Sequence, residues 1–527
     1  MNLFLYVEAT SWLHRADPRT KIFSMFCVFF LALGLNGPSA VLALGCAVMA
    51  AGFSAGFASG LRRIGGLLCM LLVMITVLWG VTTGNVPLWG PFKSDGMLQG
   101  LTMGIKMVIM VTTGLIWLSS TKIEEMTAGM EKLGIPYPVA FAFSTAIRLV
   151  PWIVSSCLTV GEAQQSRGLD LHHGSFLRRM RNYVPLFIPA LIAVIRNANY
   201  FSMALESRGF GSQNKRVSYL QIGFGSSDVA LIIATILVSA LCLWLNEGSM
   251  QSLLWNGLIL LTFFVGFILV LRIVVNRESG RALWLNTRMV VLTAMSAAIY
   301  AAVVIPFKGI VFVPGVTEFR PGMALPPVLG VLFGPAAAWG SGFGCVISDF
   351  FGSLSPGSFF GFAGNYVMAW LPYHLWWKTG LVRTNDLEPL RLDSMRKIVN
   401  FFVLAIVGAL SCAFIIGWGL ELIGLVPFKV LTVLIAVNNS APILLLSLPV
   451  MMVLYPRIKK WGLLWTDILD PAEVAASVQQ SWVGAVITLI GIVVGFGGGL
   501  YVAIGLSGNP LPVAGIGIGL LIVGAFL

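Results

Sequence analysis

Apolar residues in this chain come in long blocks rather than in alternation or in narrow stripes. Blocks at 21–35, 39–58, 65–83 and 99–120 are broken by turn-forming or charged residues such as Asn36-Gly37-Pro38 and Arg62-Arg63. Further blocks cover 228–246, 251–275, 289–306, 324–333, 336–352, 361–377, 398–424, 431–455, 482–506 and 510–527. Most approach the ~20 residues that carry a helix across a ~30 Å hydrocarbon core. Membrane-spanning strands would instead alternate apolar and polar positions in short segments, and that alternation is missing. The pattern predicts an all-α polytopic membrane protein.

Residues 121–222 interrupt the pattern. They are mixed and basic, with Arg148, Arg167, Arg178, Arg179, Arg181, Arg196, Arg208, Lys215 and Arg216. Two amphipathic stretches, 138–166 and 184–207, run into Ser166-Arg167-Gly168 and Ser207-Arg208-Gly209. A membrane-spanning path would bury Arg148 beside Pro151, or Arg196 beside Asn197 and Asn199, at high cost. Long helices along the cytoplasmic face are therefore expected. Glycine suits the left-handed position that ends a helix. An arginine just before it is a presented cation whose planar fork matches carboxylates and carbonyls.

Composition agrees with the blocks: 57% of residues are hydrophobic and only 10% charged, outside the range of soluble domains. Of the net charge of +12, much lies between blocks, at Lys122, Arg277 to Arg288, Lys378 to Lys397 and Arg457 to Lys460. Cytoplasmic loops keep such residues, and the parity of crossings agrees at each cluster. The N-terminus is then cytoplasmic, with no cleavable leader evident. The basic stretches are not interleaved with exposed aromatics, so nucleic-acid binding is not indicated. The seven cysteines are scattered without a CxxC pair, which implies neither a metal site nor a disulfide framework. A lone His374 and the adjacent pair His172-His173 also argue against a bound metal. GxxxxGK[ST], HExxH and GxSxG are absent, so no catalytic residue is assigned and ATP hydrolysis is not expected here.

The charge clusters divide the chain into 1–276, 277–465 and 466–527. The last part is an acidic linker and a hairpin. Its glycines, Gly491, Gly495, Gly499, Gly515 and Gly519, recur every fourth residue within each arm, a spacing for close helix packing.

Several stretches occur in a telling order: Leu13-His14-Arg15-Ala16-Asp17-Pro18-Arg19-Thr20-Lys21, Leu133-Gly134-Ile135-Pro136, Ala146-Ile147-Arg148-Leu149-Val150-Pro151, and the two segments that end in Ser-Arg-Gly. On these, residues 1–225 resemble the T component of energy-coupling factor transporters, the family that includes the cobalt-transport Q protein. The resemblance implies that Ser166, Arg167 and Gly168, with Ser207, Arg208 and Gly209, end two coupling helices. Each would insert into a groove of one of two ATP-binding-cassette ATPases, separate chains that bring ATP and Mg. The family usually has Ala where this chain has Ser before Arg-Gly; Ser is still small enough for close docking.

Residues 285–465, through Thr317-Glu318-Phe319-Arg320-Pro321-Gly322, Pro326-Pro327 and Phe333-Gly334-Pro335, resemble the six-helix S component of the same transporters, in its riboflavin-type branch. Ala294, Ala298 and Ala302 form a small-residue ribbon that in S components contacts the T component; packing inside its own bundle is the alternative. Parity puts Glu318, Arg320, Asp349, Asn365, Tyr366, Asn438 and Asn439 near the outer face, with Asn365 and Tyr366 opening the fourth helix. Polar residues embedded in a membrane pair or bind. Mixed charge, amides and aromatics suit a polar, planar micronutrient: riboflavin, cobalamin or a deazapurine precursor. The expectation is a fused T–S subunit of an importer in the cytoplasmic membrane. Its S module would bind solute outside and topple to release it inside. A gradient-driven secondary carrier and an intramembrane enzyme are the alternatives.

Overall fold

The structure, a computed structural model, describes residues 6, 11–35, 37–82, 86–89, 92–168, 176–211, 220, 222–246, 258, 262, 265–266, 283–307, 311–313, 317–318, 320–351, 354–383, 386–472, 474–475, 482–506 and 508–526. The block expected at 251–275 lies almost wholly outside them, as do His172, His173 and Phe319. Among the described residues, helices dominate and the only strands are two short antiparallel pairs, β1 (Pro87–Trp89) with β2 (Phe92–Lys93) and β3 (Val311–Val313) with β4 (Thr317–Glu318).

The first module begins with a single turn, α1 (Trp12–Arg15), and continues through α2 (Pro18–Gly34), α3 (Pro38–Ser54), α4 (Ala58–Thr82) and α5 (Ser94–Ser119). Proline opens both α2 and α3, where its missing N–H costs nothing. Asp17 caps α2 by accepting from Arg19 N–H at 2.9 Å. Glycine brings α4 and α5 close: a Cβ on Gly100 would fall 2.8 Å from Thr76 Cα, and one on Gly104 2.7 Å from Leu72 Cδ1. A short amphipathic helix that the block pattern did not announce, α6 (Ile123–Lys132), leads into α7 (Tyr137–Ser166) and α8 (Phe176–Ser207). Its charges suit the helix dipole, with Glu124 and Glu125 in the first turn and Lys132 in the last. The module closes with α9 (Ser226–Trp244).

One buried carboxylate joins the two ends of this module. Asp228 accepts from Asp17 N–H (2.7 Å) and Thr20 Oγ1 with one oxygen, and from Gly225 N–H (2.7 Å) with the other. Beside it, Lys21 Nζ donates to Ser120 O at the end of α5 (2.8 Å). The starts of α2 and α9 and the end of α5 are thus held at one level.

The second module comprises α10 (Thr287–Val304), α11 (Leu325–Phe333), α12 (Pro335–Asp349), α13 (Gly357–His374), α14 (Met395–Leu422), and α15 (Phe428–Pro442), which continues through a wide turn at Ile443–Ser447 into α16 (Leu448–Lys460). Pro442, which lacks an N–H, sits just before the widened segment. Gly334, at φ +56°, makes the tight turn between α11 and α12, and Trp465 packs on it. The described residues of loop 375–394, which are 375–383 and 386–394, are clasped over the end of the bundle where α13 stops and α14 starts. Lys397 Nζ bridges Asp386 (2.6 Å) and Asp393 (3.0 Å), Lys459 pairs with Glu388, and Asn400 donates to Trp376 O (2.9 Å).

A single turn, α17 (Trp465–Ile468), precedes the final hairpin of α18 (Trp482–Ile492, continuing through widened turns to Gly505) and α19 (Leu511–Phe526). Of its expected packing glycines, Gly491, Gly495 and Gly499 pack closely, whereas Gly515 is in ordinary contact with Trp418 and Gly519 meets nothing within 4 Å. A Cβ on Gly517 would fall 2.4 Å from Gly495 Cα, and one on Gly495 2.5 Å from the Phe414 ring of α14. Trp418 Nε1 also donates to Leu511 O (3.0 Å), so the hairpin rides on α14 of the second module. Seven of the described helical segments are long and apolar enough to cross a membrane.

Candidate functional site

Three places carry chemistry: the tips of α7 and α8, the contact between the modules, and the interior of the second module. Both Ser-Arg-Gly motifs end a long helix. Gly168 and Gly209 adopt φ +90° and +76°, the left-handed geometry expected of helix-stopping glycines. Ser166 and Ser207 fold back onto Glu162 O (3.0 Å) and Ala204 O (2.9 Å), and Arg167 and Arg208 are exposed. From Leu158 onward α7 is mostly exposed too. In one respect α7 differs from expectation: it is long and apolar enough to span a membrane. Arg148, the obstacle to that path, reaches out to Glu124 at 3.1 Å, in an exposed pair worth little to stability.

The helix α10 lies across both α7 and α8. Its faces can be told apart. A Cβ on Gly340 of α12 would fall 2.5 Å from Ser296 Cβ, and one on Gly344 2.8 Å from Ala297 O and Tyr300 Cδ1. The Thr293–Ala297–Tyr300 face therefore turns to its own bundle. At 3.6 residues per turn, Ala294, Ala298 and Ala302 lie around the other side, and all three are buried. They share one continuous apolar core with Ala142, Ala146 and Val150 of α7 and Val194 and Ala198 of α8.

Contacts between the modules continue away from α10. Phe350 packs edge-on to Trp117 (5.8 Å) and Phe143 (5.9 Å), and Phe359 stacks on Phe26 (6.0 Å). An apolar cavity of ≈ 180 Å³ remains there, walled by Met25, Met126 and Met130 from one module and Val346, Leu354 and Phe362 from the other. At the opposite end of α4, Trp79 Nε1 donates to Leu425 O (3.2 Å), in the turn between α14 and α15.

Inside the second module a small sealed cluster combines polar and sulfur groups. Tyr300 OH donates to Asn365 Oδ1 (3.0 Å) and lies 3.7 Å from Met323 Sδ, while Asn365 Nδ2 donates to Gly361 O (2.9 Å). Asn439 contacts Met368 Sδ at 4.0 Å and lies beside Cys412. Arg320 is close enough to act electrostatically on Tyr300 and Cys412, and Asp349 on Tyr300. Asp349 also accepts from Ser358 Oγ at 2.8 Å.

Of the expected binding residues, Arg320, Asp349, Asn365 and Asn439 thus converge. Tyr366 does not join them. It belongs to an aromatic group with Trp339 (5.2 Å) and Phe362 (6.3 Å). Asn438 is half-buried on the neighbouring face of α15. The side chain of Glu318 lies outside the described residues, and its backbone pairs with Val311. Asn365 and Tyr366 also sit in the middle of α13, not at its start. The helix begins earlier, at Gly357, and runs through Ser358, Phe359 and Phe360. Tyr300, Met323, Met368 and Cys412 were missed. Tyr300 was legible, since it stands seven residues after Thr293 on the face opposite the alanines. Glu421, at the end of α14, accepts from Phe428 N–H and caps the turn into α15.

A protein with a membrane scaffold, two long arms tipped by exposed arginines, and a separate polar-centred helical bundle seated on those arms is a membrane transport subunit. The comparisons with known proteins agree. Residues 9–219 match the family profile CbiQ, described as cobalt transport protein, and residues 290–456 match QueT, described as QueT transporter. The energy-coupling factor transporter transmembrane protein EcfT of Bacillus subtilis is 30% identical over 271 residues, which cover 96% of that protein and 46% of this chain. Its namesakes from Bacillus selenitireducens and Acidaminococcus fermentans are 26% and 25% identical, over 93% and 96% of their lengths and 45% and 46% of this chain. This chain belongs to the EcfT family of energy-coupling factor transporter transmembrane proteins, with a QueT-type S component fused behind the T component.

Proposed function

We propose that the chain is a membrane subunit of an energy-coupling factor importer, joining the ATPase-coupling scaffold and the substrate-binding bundle for a micronutrient. ATP hydrolysis belongs to separate ATP-binding-cassette subunits, which hold ATP and Mg. Two of them dock at the cytoplasmic face, one on Ser166-Arg167-Gly168 and one on Ser207-Arg208-Gly209. The observation that carries this reading is the pair of exposed, glycine-stopped arginine tips on two helices that together bear α10.

The seating of the S module supports a toppling mechanism. By parity the described residues of segments 305–307, 320–324, 350–351, 354–356 and 423–427 share the substrate end of the bundle. Leu425 of this end meets Trp79 near one end of the T module, while Leu354 and Phe350 meet Gly114 and Trp117 near the other. Trp79 packs on Gly100, so those two levels are separated by the stretch of α5 from Gly100 to Gly114 and Trp117, about 20–25 Å at ~1.5 Å per residue. A bundle standing upright would hold its substrate end at one depth; one lying on its side spreads it over much of the depth. The opposite end is sealed by the clasped loop 375–394, so rotation of the whole bundle is a simpler exit than opening that end.

Of the three substrate classes, the QueT match favours the deazapurine precursor. Asn365 and Asn439 can read the hydrogen-bonding edge of such a ring, and Met323 and Met368 can lie against its faces. Arg320 and Asp349 complete the site. Changing Arg167 and Arg208 together to Glu tests the coupling. Expected is loss of ATPase co-purification and of uptake by more than tenfold in membranes that still contain the chain. Unchanged co-purification and uptake refute the assignment. ATPase-independent uptake by the chain alone would instead favour a gradient-driven carrier.

A further inference from the structure

The residues just after the second arginine tip make contacts that the docking role does not use. Beyond Gly209, Phe210 N–H closes on Leu205 O (3.0 Å), and the Phe210 ring lies against Phe141 (4.8 Å between ring centres) and Tyr137 (6.1 Å) at the start of α7. One residue further, Gly211 (φ +85°) meets the S module. A Cβ there would fall 3.5 Å from Thr287 Oγ1 and 3.6 Å from Leu285 O, where α10 begins. Within three residues of Arg208, then, the chain touches both the root of the other arm and the start of the S-module helix that lies across the arms.

Arg167 stands elsewhere. It follows the far end of α7, about 45 Å from Tyr137 at ~1.5 Å per residue, beyond the largely exposed last turns. One tip sits beside the junction with the S module and the other at the end of a lever. Gly209 and Gly211 both adopt left-handed backbone that adds no stiffness, so the Phe210 ring between them is what makes the connection resist displacement.

We propose that Phe210 and Gly211 form a strap that transmits movement of the Arg208 tip to the S module, with Phe210 as its positioning residue. The Arg208 arm then drives the S module, and the Arg167 arm chiefly anchors its ATPase. The proposal rests on the coupling role assigned above, and the test separates the two. In a chain whose seven native cysteines are replaced, W79C and L425C put thiols where Trp79 now meets Leu425. Thiol cross-linking is measured in the complex with its ATPases, with and without a non-hydrolysable ATP analogue. With Phe210 present, nucleotide should lower cross-linking severalfold as the S module leaves. F210A should keep the ATPases bound yet show no response to nucleotide, and F210Y should restore it. Should F210A fail to assemble, F210L, which keeps bulk but loses the ring contacts, is expected to show the same loss of response. A native-size response in the assembled alanine or leucine variant overturns the strap and leaves the coupling role intact. No response in the parent chain overturns the coupling role and the strap together.

Discussion

Arg167 and Arg208 end helices whose last turns are exposed, whereas Tyr300, Asn365 and Asn439 are almost completely buried. The T module holds the arginines proposed for docking outward on long arms, and the S module holds the residues proposed for binding inward behind closely packed glycines. The difference follows from what each must meet. A partner protein docks on what protrudes. A solute carried across a membrane must be enclosed by a body that moves without coming apart. The packing agrees: α11 to α14 touch through backbone, while the distal half of α7 touches little.

The largest effect is expected where that packing is tightest. A Cβ at Gly330 of α11 would fall 2.1 Å from Ala369 O of α13, and backbone cannot move aside as a flexible side chain can. Gly330→Val should destabilise the S module by about 3 kcal/mol or more, seen as a lowered melting temperature in detergent and loss of solute binding. The ATPases should still co-purify, because the arms do not depend on that contact. On the exposed part of α7, Leu158→Ala should change stability by less than about 0.5 kcal/mol. Equal effects of the two substitutions would erase the contrast.

A smaller effect separates binding residues from bystanders inside the bundle. Asn365→Leu leaves the Tyr300 hydroxyl without its acceptor and removes an amide from the cluster, a change of about 1–3 kcal/mol. At ~1.4 kcal/mol per decade, calorimetric affinity for a 7-deazaguanine-type probe should fall about tenfold for Asn365→Leu and for Asn439→Leu. Asn438→Leu, on the adjacent face, should leave it within about threefold. A loss at Asn438 equal to that at Asn439 would move the site to the other side of α15.

These contrasts were only partly legible in the amino-acid order. Among the described residues, long apolar blocks marked the membrane helices, most of them within a few residues, because every backbone group in lipid must be paired within the segment. The arginine tips were legible since arginine before a stopping glycine is a local signal, repeated. What was missed depends on contacts between distant parts of the chain. Asp228 reads as an ordinary helix-start acid, and only the fold brings Asp17 and Thr20 to it. The short helix α6 lacked the length to register as a block. The mid-helix position of Asn365 was hidden because Gly357, Gly361 and Gly364 look like loop residues, although two of them are where α13 meets Cys345 and Cys412.

The smallest expected effect concerns the clasp over the sealed end of the S module. The Asp386 carboxyl is held below its ordinary range by its hydrogen bond from Lys397, and that of Glu388 by its bonds from Lys459 and Arg391. Groups whose folded values are depressed stabilise the fold above their unfolded values, about pH 4 for carboxylates, and lose that contribution as pH falls through the lower folded ones. Hydrogen exchange of loop 375–394, taken relative to the intrinsic amide rate at each pH, should therefore stay flat from neutral pH down to about pH 5 and quicken only below about pH 4. Molar salt should quicken it modestly at neutral pH, since the pairs of Glu388 with Arg391 and Lys459 lie at the surface and are screened, whereas Lys397 is buried. α10, buried between the modules, should show neither change. Quickening near neutral pH would mean that a group other than these carboxylates closes this end, and would make opening of the clasp, rather than rotation of the bundle, the step to pursue.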